Sequence, residues 1–206
     1  MAHNAADEPG TNVLVLSPAR SSHDEAACGA LLDVESSEDV EFLSITIVES
    51  IRKRFEIWER EVSDEPPAYF AGVSAADMLR GTAADRPTPF EPTSRMPASI
   101  EVVSDVSNLT KFGVAFTVAL SDCHPDERQL VVCFHSITAL LQYVDEPAAF
   151  RFLHAMTTEL TAANAISHFH ADPNVLDEQS RSRFYSLFDT VITHSPEHDC
   201  GLDHEL

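Results

Sequence analysis

Lysine is almost absent from this sequence. It occurs twice, at Lys53 and Lys111, and every other basic side chain is arginine. With 34 acidic against 13 basic residues in 206, the formal charge is −21. That imbalance excludes a nucleic-acid surface, because such surfaces work by neutralising phosphates. Long apolar runs are missing too. None approaches the roughly 18 residues of a membrane helix, so no membrane association is expected. The opening ten residues, Met1 to Gly10, hold neither a basic stretch nor an apolar one, so no signal peptide is read there. The four cysteines, Cys28, Cys123, Cys133 and Cys200, form no Cys-x-x-Cys pair. They read as reduced thiols, mostly buried. No internal repeat is evident.

What is present is acid spread over the whole length. An acidic tail alone would read as a disordered interaction arm. Dispersed acid with scarce lysine instead points to the salt-saturated cytoplasm of a halophilic archaeon. At 1 M salt the Debye length is about 3 Å, so self-repulsion is screened while carboxylates keep the surface hydrated. A hydrophobic content of 44% is ordinary for a globular chain, and the length suits one domain with a sizeable core.

Strands and helices alternate along the chain. Asn12-Val-Leu-Val-Leu-Ser17 is a buried strand stopped by Pro18, and a capping-box pattern at Ser21 and Ser22 predicts a helix to about Leu32. Phe42 to Val48 is a second strand. Ile51, Phe55, Trp58 and Val62 then recur at helical spacing, giving an amphipathic helix over about 50–62. Ala68 to Val73 and Ile100 to Ser104 are further strands, separated by a stretch with prolines at 87, 89, 92 and 97. A helix carries Leu109, Phe112, Phe116 and Leu120. Gln129 to Phe134 is apolar in the manner of a central parallel strand. Pro147 starts a helix bearing Leu153, Met156 and Leu160. Ala165 to His170 is a strand, Leu176, Phe184 and Leu187 mark a short helix, and Thr190 to Thr193 is the last strand. The pattern is α/β, with a mainly parallel sheet and helices on both faces.

Two stretches carry a family likeness. Leu130-Val-Val-Cys-Phe-His-Ser-Ile-Thr-Ala-Leu-Leu-Gln-Tyr143 resembles the Walker B strand and following segment of RecA-superfamily ATPases of the KaiC type. Phe42-Leu-Ser-Ile-Thr-Ile-Val-Glu-Ser50 resembles that family's second core strand with its acidic end. Asn12 to Ser17 falls where the strand into the P-loop belongs, and Phe188-Asp-Thr-Val-Ile192 resembles the terminal strand. The resemblance implies a RecA-like α/β fold and looks closest to a haloarchaeal group of KaiC-like domains with no assigned activity. It implies one domain over 12–193 with a Pro-rich insertion at 81–99, a flexible 1–11 and a polar His- and acid-rich tail at 194–206.

The chemical parts of the resemblance are altered. A P-loop needs glycines whose N–H groups wrap phosphate, a lysine, and a hydroxyl for Mg²⁺. The corresponding turn reads Ser17-Pro-Ala-Arg20-Ser-Ser22-His-Asp24-Glu25, with neither glycine nor lysine. Asp24 and Glu25 put carboxylates at the helix start that would otherwise receive an anion. His135 stands at the position of the Walker B Asp, and Glu49 is what remains of an acidic pair. The expectation is a non-catalytic regulatory or assembly module that has lost ATP hydrolysis, needs no cofactor, and acts through a protein partner or self-association.

Other constellations keep alternatives open. His168-Phe-His170-Ala-Asp172 is an H-x-H-x-D string, and residues two apart on a strand share a face. It resembles the metal motif of metallo-β-lactamase-type hydrolases, although Pro173 replaces the following histidine. A metal-binding protein or metal-dependent hydrolase using His168, His170 and Asp172 is therefore the second reading. A third is a small ligand in the crevice at the strand C-termini. Asp122, Cys123 and His124, and the tail residues His194, His198, Asp199, Cys200 and His204, offer further ligands without a recognised zinc spacing. Cys133 and His135, side by side on a strand, suggest a thiol and base, against a plain core role for Cys133.

Overall fold

The computed structural model describes residues 8–18, 26, 37–75, 98–124 and 127–193. Strand β1 is Asn12–Leu16, buried throughout. A single 3-10 turn, Ser37–Asp39, leads into β2, Val40–Thr46. Helix α1 is Ile51–Glu61, β3 is Tyr69–Ser74 and β4 is Ala98–Val102. Helix α2 is Leu109–Ser121, β5 is Gln129–His135 and α3 is one turn, Ile137–Leu140. Helix α4 is Glu146–Ala162, β6 is Ile166–Ala171, α5 is Glu178–Tyr185 and β7 is Thr190–Thr193.

The seven strands form one sheet in the order β4-β3-β2-β5-β6-β1-β7. Every pairing is parallel. This is the α/β, RecA-like arrangement expected from the sequence. Parallel neighbours require crossovers, and the crossovers cover the faces, so the central strands are buried on both sides. Local chemistry starts each helix. Ser50, Asn108, Ser136, Asp145 and Asp177 each accept a backbone N–H of the first turn.

Register partners share a face. On one face Leu14, Leu43, Ile45, Val132, Phe134 and Phe169 meet Phe112, Phe116, Leu153, Met156 and Phe184 from α2, α4 and α5 in a single cluster. Phe134 lies between Phe112 and Phe169, with ring centroids 6.4 and 5.5 Å away. On the other face Val40, Phe42, Phe70, Val131 and Cys133 pack under Ile51, Ile57 and Trp58 of α1. Phe42 and Trp58 are 5.0 Å apart, and Trp58 Nε1 donates to Glu65 O at 3.1 Å. Gly72 lets α1 settle this low, since a Cβ there would meet Ile51 Cδ1 and Ile100 Cδ1 at 2.8 Å.

Several expectations change in detail. The buried stripe of α1 is Ile51, Arg54, Ile57 and Trp58, while Phe55 and Val62 are half-buried. Arg54 joins this stripe because it lies three residues after Ile51 and four before Trp58. Ala98 and Ser99, counted with the insertion, begin β4. Leu176 and Leu187 flank α5 instead of lying on it. The remaining insertion residues 81–97, the helix expected at 22–32 apart from Ala26, residues 1–7 and the tail 194–206 lie outside the described residues.

At the amino edge of the sheet Glu41 is 1% exposed. It accepts the His124 backbone N–H at 2.6 Å and Arg128 Nη1 at 3.4 Å. Beside it, burial first, then the Glu41 and Asp122 carboxylates, push the Cys123 thiol up to about 12. The unfolded thiol deprotonates near its ordinary 9.0, so between these values the folded chain holds the extra proton. That contribution is complete below the unfolded value and is lost as pH rises towards 12. Urea midpoints across this interval should fall less steeply for Cys123→Ala than for the wild type. In the core, Phe134→Ala should cost about 3–5 kcal/mol in the same denaturation measurement.

Candidate functional site

Because all strands run the same way, their carboxyl ends share one edge of the sheet, where open α/β sheets bind ligands. Thr46, His135, His170 and Val15 form one register row there, pointing to the α1 side. One step deeper, Ser44, Cys133, His168 and Val13 form the next row on that face.

The chain leaves β2 through a short polar turn that fixes Glu49. Its backbone N–H donates to Thr46 Oγ1 at 3.2 Å, and that hydroxyl donates to Glu49 O at 3.1 Å. Ser50 then caps α1 by accepting the Lys53 N–H. The Glu49 carboxylate consequently meets Arg54 one turn into the helix, with Nη1 to Oε2 at 3.3 Å. His135 Nδ1 is 3.9 Å from the same oxygen. Arg54 is 2% exposed and its Nη2 donates to Cys133 Sγ at 2.9 Å. His170 stacks obliquely on His135, with ring centroids 5.4 Å apart. The remnant acid of the nucleotide-site reading and the histidine string of the metal reading thus meet in one polar patch.

Asp172 lies past the end of β6, where its carboxylate accepts the Asn174 backbone N–H at 2.9 Å and Nδ2 at 3.1 Å. His168 and His170 on the same strand are buried. Among the described residues no three His, Cys, Asp or Glu side chains converge to hold a metal ion. Cys123 and His124 stand beside Glu41 at the opposite edge of the sheet. Cys133 is 1% exposed, and its thiol accepts Arg54 Nη2. Ser17 is buried at the end of β1, its N–H donating to Ala171 O at 3.1 Å. Arg20, Ser22, Asp24 and Glu25 lie outside the described residues. Ser136 acts locally as the cap of α3, accepting the Ala139 N–H at 3.2 Å.

Arg54 is the member of the patch that the sequence reading passed over. Its signal was positional: the helical spacing that buries Ile51 and Trp58 buries the residue between them. Removing either ion partner should have unequal costs. Glu49→Gln takes the carboxylate from a guanidinium with almost no access to water, and should cost about 3 kcal/mol. Arg54→Met leaves a carboxylate that is 23% exposed and open to hydration, so its urea midpoint should fall less.

Comparison with known proteins agrees with this architecture. The protein of structural project PH0250 from Pyrococcus horikoshii OT3 superposes with a TM-score of 0.59 at 9% identity, covering 96% of this chain and 86% of that one. The flagellar accessory protein FlaH from Methanocaldococcus jannaschii gives 0.50 at 12% identity, with coverages of 90% and 71%. The KaiC-like protein PH0186 from Pyrococcus horikoshii OT3 gives 0.49 at 13%, with coverages of 95% and 77%. At such identities the likeness is one of fold. No curated protein matches the sequence. One family model matches residues 10–194, and the chain belongs to that family, a family of unknown function designated DUF7504.

Proposed function

We propose that this chain is a RecA/KaiC-like regulatory or assembly module that does not hydrolyse ATP and acts by binding protein. The observation that carries this reading is the engagement of Glu49. A nucleotide hydrolase of this fold needs hard oxygen ligands for Mg²⁺, usually one or two carboxylates beside the phosphates. Here Glu49 is held by Arg54 at 3.3 Å and faces His135 at 3.9 Å. The cationic partner of the acid is built into the chain. His135 presents a ring nitrogen where the resemblance would place a carboxylate. These residues do not fit a Mg–nucleotide. The altered turn from Ser17 to Glu25 supports the same reading, since it lacks the glycines and lysine of a phosphate cradle.

The working environment proposed is the high-salt cytoplasm of a halophile, on the strength of the dispersed acid and two lysines. No described helix is long and apolar enough to cross a membrane.

Equilibrium dialysis against ATP in molar KCl, with and without Mg²⁺, tests the loss directly. The expected result is no retention of ATP at micromolar concentration and no phosphate release above the protein-free control. Micromolar affinity accompanied by turnover overturns the proposal.

A further inference from the structure

Among the described helices of eight or more residues, α2 is the one without an acidic side chain, and it carries one of the two lysines. The exposed positions of α2 include Thr110, Lys111, Val114, Thr117 and Val118. Val114 is 60% and Val118 40% exposed. A helix that is apolar on both sides normally has something packed on each. The inner side meets the sheet through Phe112 and Phe116.

Beside the two valines runs a groove of about 380 Å³ between α2 and α4, with Thr110, Gly113, Thr117, Phe152 and Ala155 in its lining and Glu159 towards one end. Gly113 has no internal reason to be glycine. A Cβ there would meet only Phe152 Cε2, at an ordinary 3.9 Å. Glycine in a helix interior is destabilising relative to alanine, and no contact within the described residues requires it at this position.

We propose that this face docks a second copy of the same chain about a two-fold axis through the middle of α2. The inference rests on the protein-binding reading above and names the partner. Charge selects the occupant. Two chains of −21 that met on an acid-bearing face would desolvate like charges against each other. On this face the exposed α2 side chains are valine, threonine and a lysine, and Glu159 is the one acid in the groove lining. The surface is also self-complementary. The Val114 and Val118 ridge of one copy seats in the Gly113, Thr117 and Ala155 groove of the other, as ridges pack into grooves. Both helices run antiparallel to the strands, and the axis reverses their direction between copies. Lys111 near the start of α2 in one copy therefore lies over the Glu159 end of the groove in the other. At 1.5 Å per residue the helices are about 20 and 25 Å long. They offer several hundred Å² per copy, the low end for a specific interface, which suits micromolar affinity.

Sedimentation velocity of the full chain in molar KCl, from low to high micromolar concentration, tests this. The wild type should pass from monomer to dimer. Val114→Glu with Val118→Glu alters only exposed positions, so circular dichroism should be unchanged while dimerisation weakens at least tenfold. Lys111→Glu and Glu159→Lys should each weaken the dimer, and the two together should restore it. A wild type that stays monomeric, or an oligomer indifferent to all these variants, overturns the proposal. An indifferent oligomer leaves the protein-binding reading standing with another interface. ATP turnover by the wild type sinks that earlier reading and leaves the sedimentation result intact.

Discussion

Every strand of the sheet points the same way, and most of what distinguishes this molecule follows from that constraint. Parallel strands cannot be joined by tight hairpins, and the described connecting helices α1, α2, α4 and α5 pack on the faces of the sheet. Crossings on both faces bury the central strands completely, and side chains in register become immediate neighbours. The same geometry delivers Ser17, Glu49, His135 and Asp172 to one edge from four distant parts of the sequence. A polar group near that edge either faces solvent or finds a partner on the covering helix.

Glu49 and Arg54 show the second outcome. A guanidinium with 2% exposure is tolerable beside a carboxylate and costly alone. The ion pair ties the first turn of α1 to the end of β2, and the contact of Arg54 with Cys133 ties it to β5. At this edge of the sheet Glu49 is engaged by Arg54 and faces His135. Structure and proposed function meet at this point, because a carboxylate engaged in holding the fold is poorly placed to hold Mg²⁺.

The strands and most helices were readable because their determinants are local. Leu130 to Phe134 is apolar without interruption, Pro147 and Asp145 begin α4, and Asn108 begins α2. The candidate site was readable only in pieces. Glu49 and His135 came from a resemblance, and His168 and His170 from spacing. That they share a face depends on β5 lying between β2 and β6, which no local pattern encodes. Arg54 is not legible from local pattern alone, since a charged side chain at that helix position is buried only where Glu49 and Cys133 lie against it. Asp172 follows the histidines in sequence, and its carboxylate accepts the Asn174 backbone N–H.

The sequence by itself determined the alternation of strand and helix, the acidic and lysine-poor composition, and the lack of glycine and lysine from Ser17 to Glu25. Each is fixed by residues adjacent in the chain or by simple composition. The tertiary structure decided which polar groups meet. It placed Arg54 and His135 against Glu49, set His170 on His135, and left an acid-free ridge on α2 beside the groove at Gly113. Those relations depend on strand order and helix rotation. Both are settled by burying the whole apolar surface at once, so no single segment carries them.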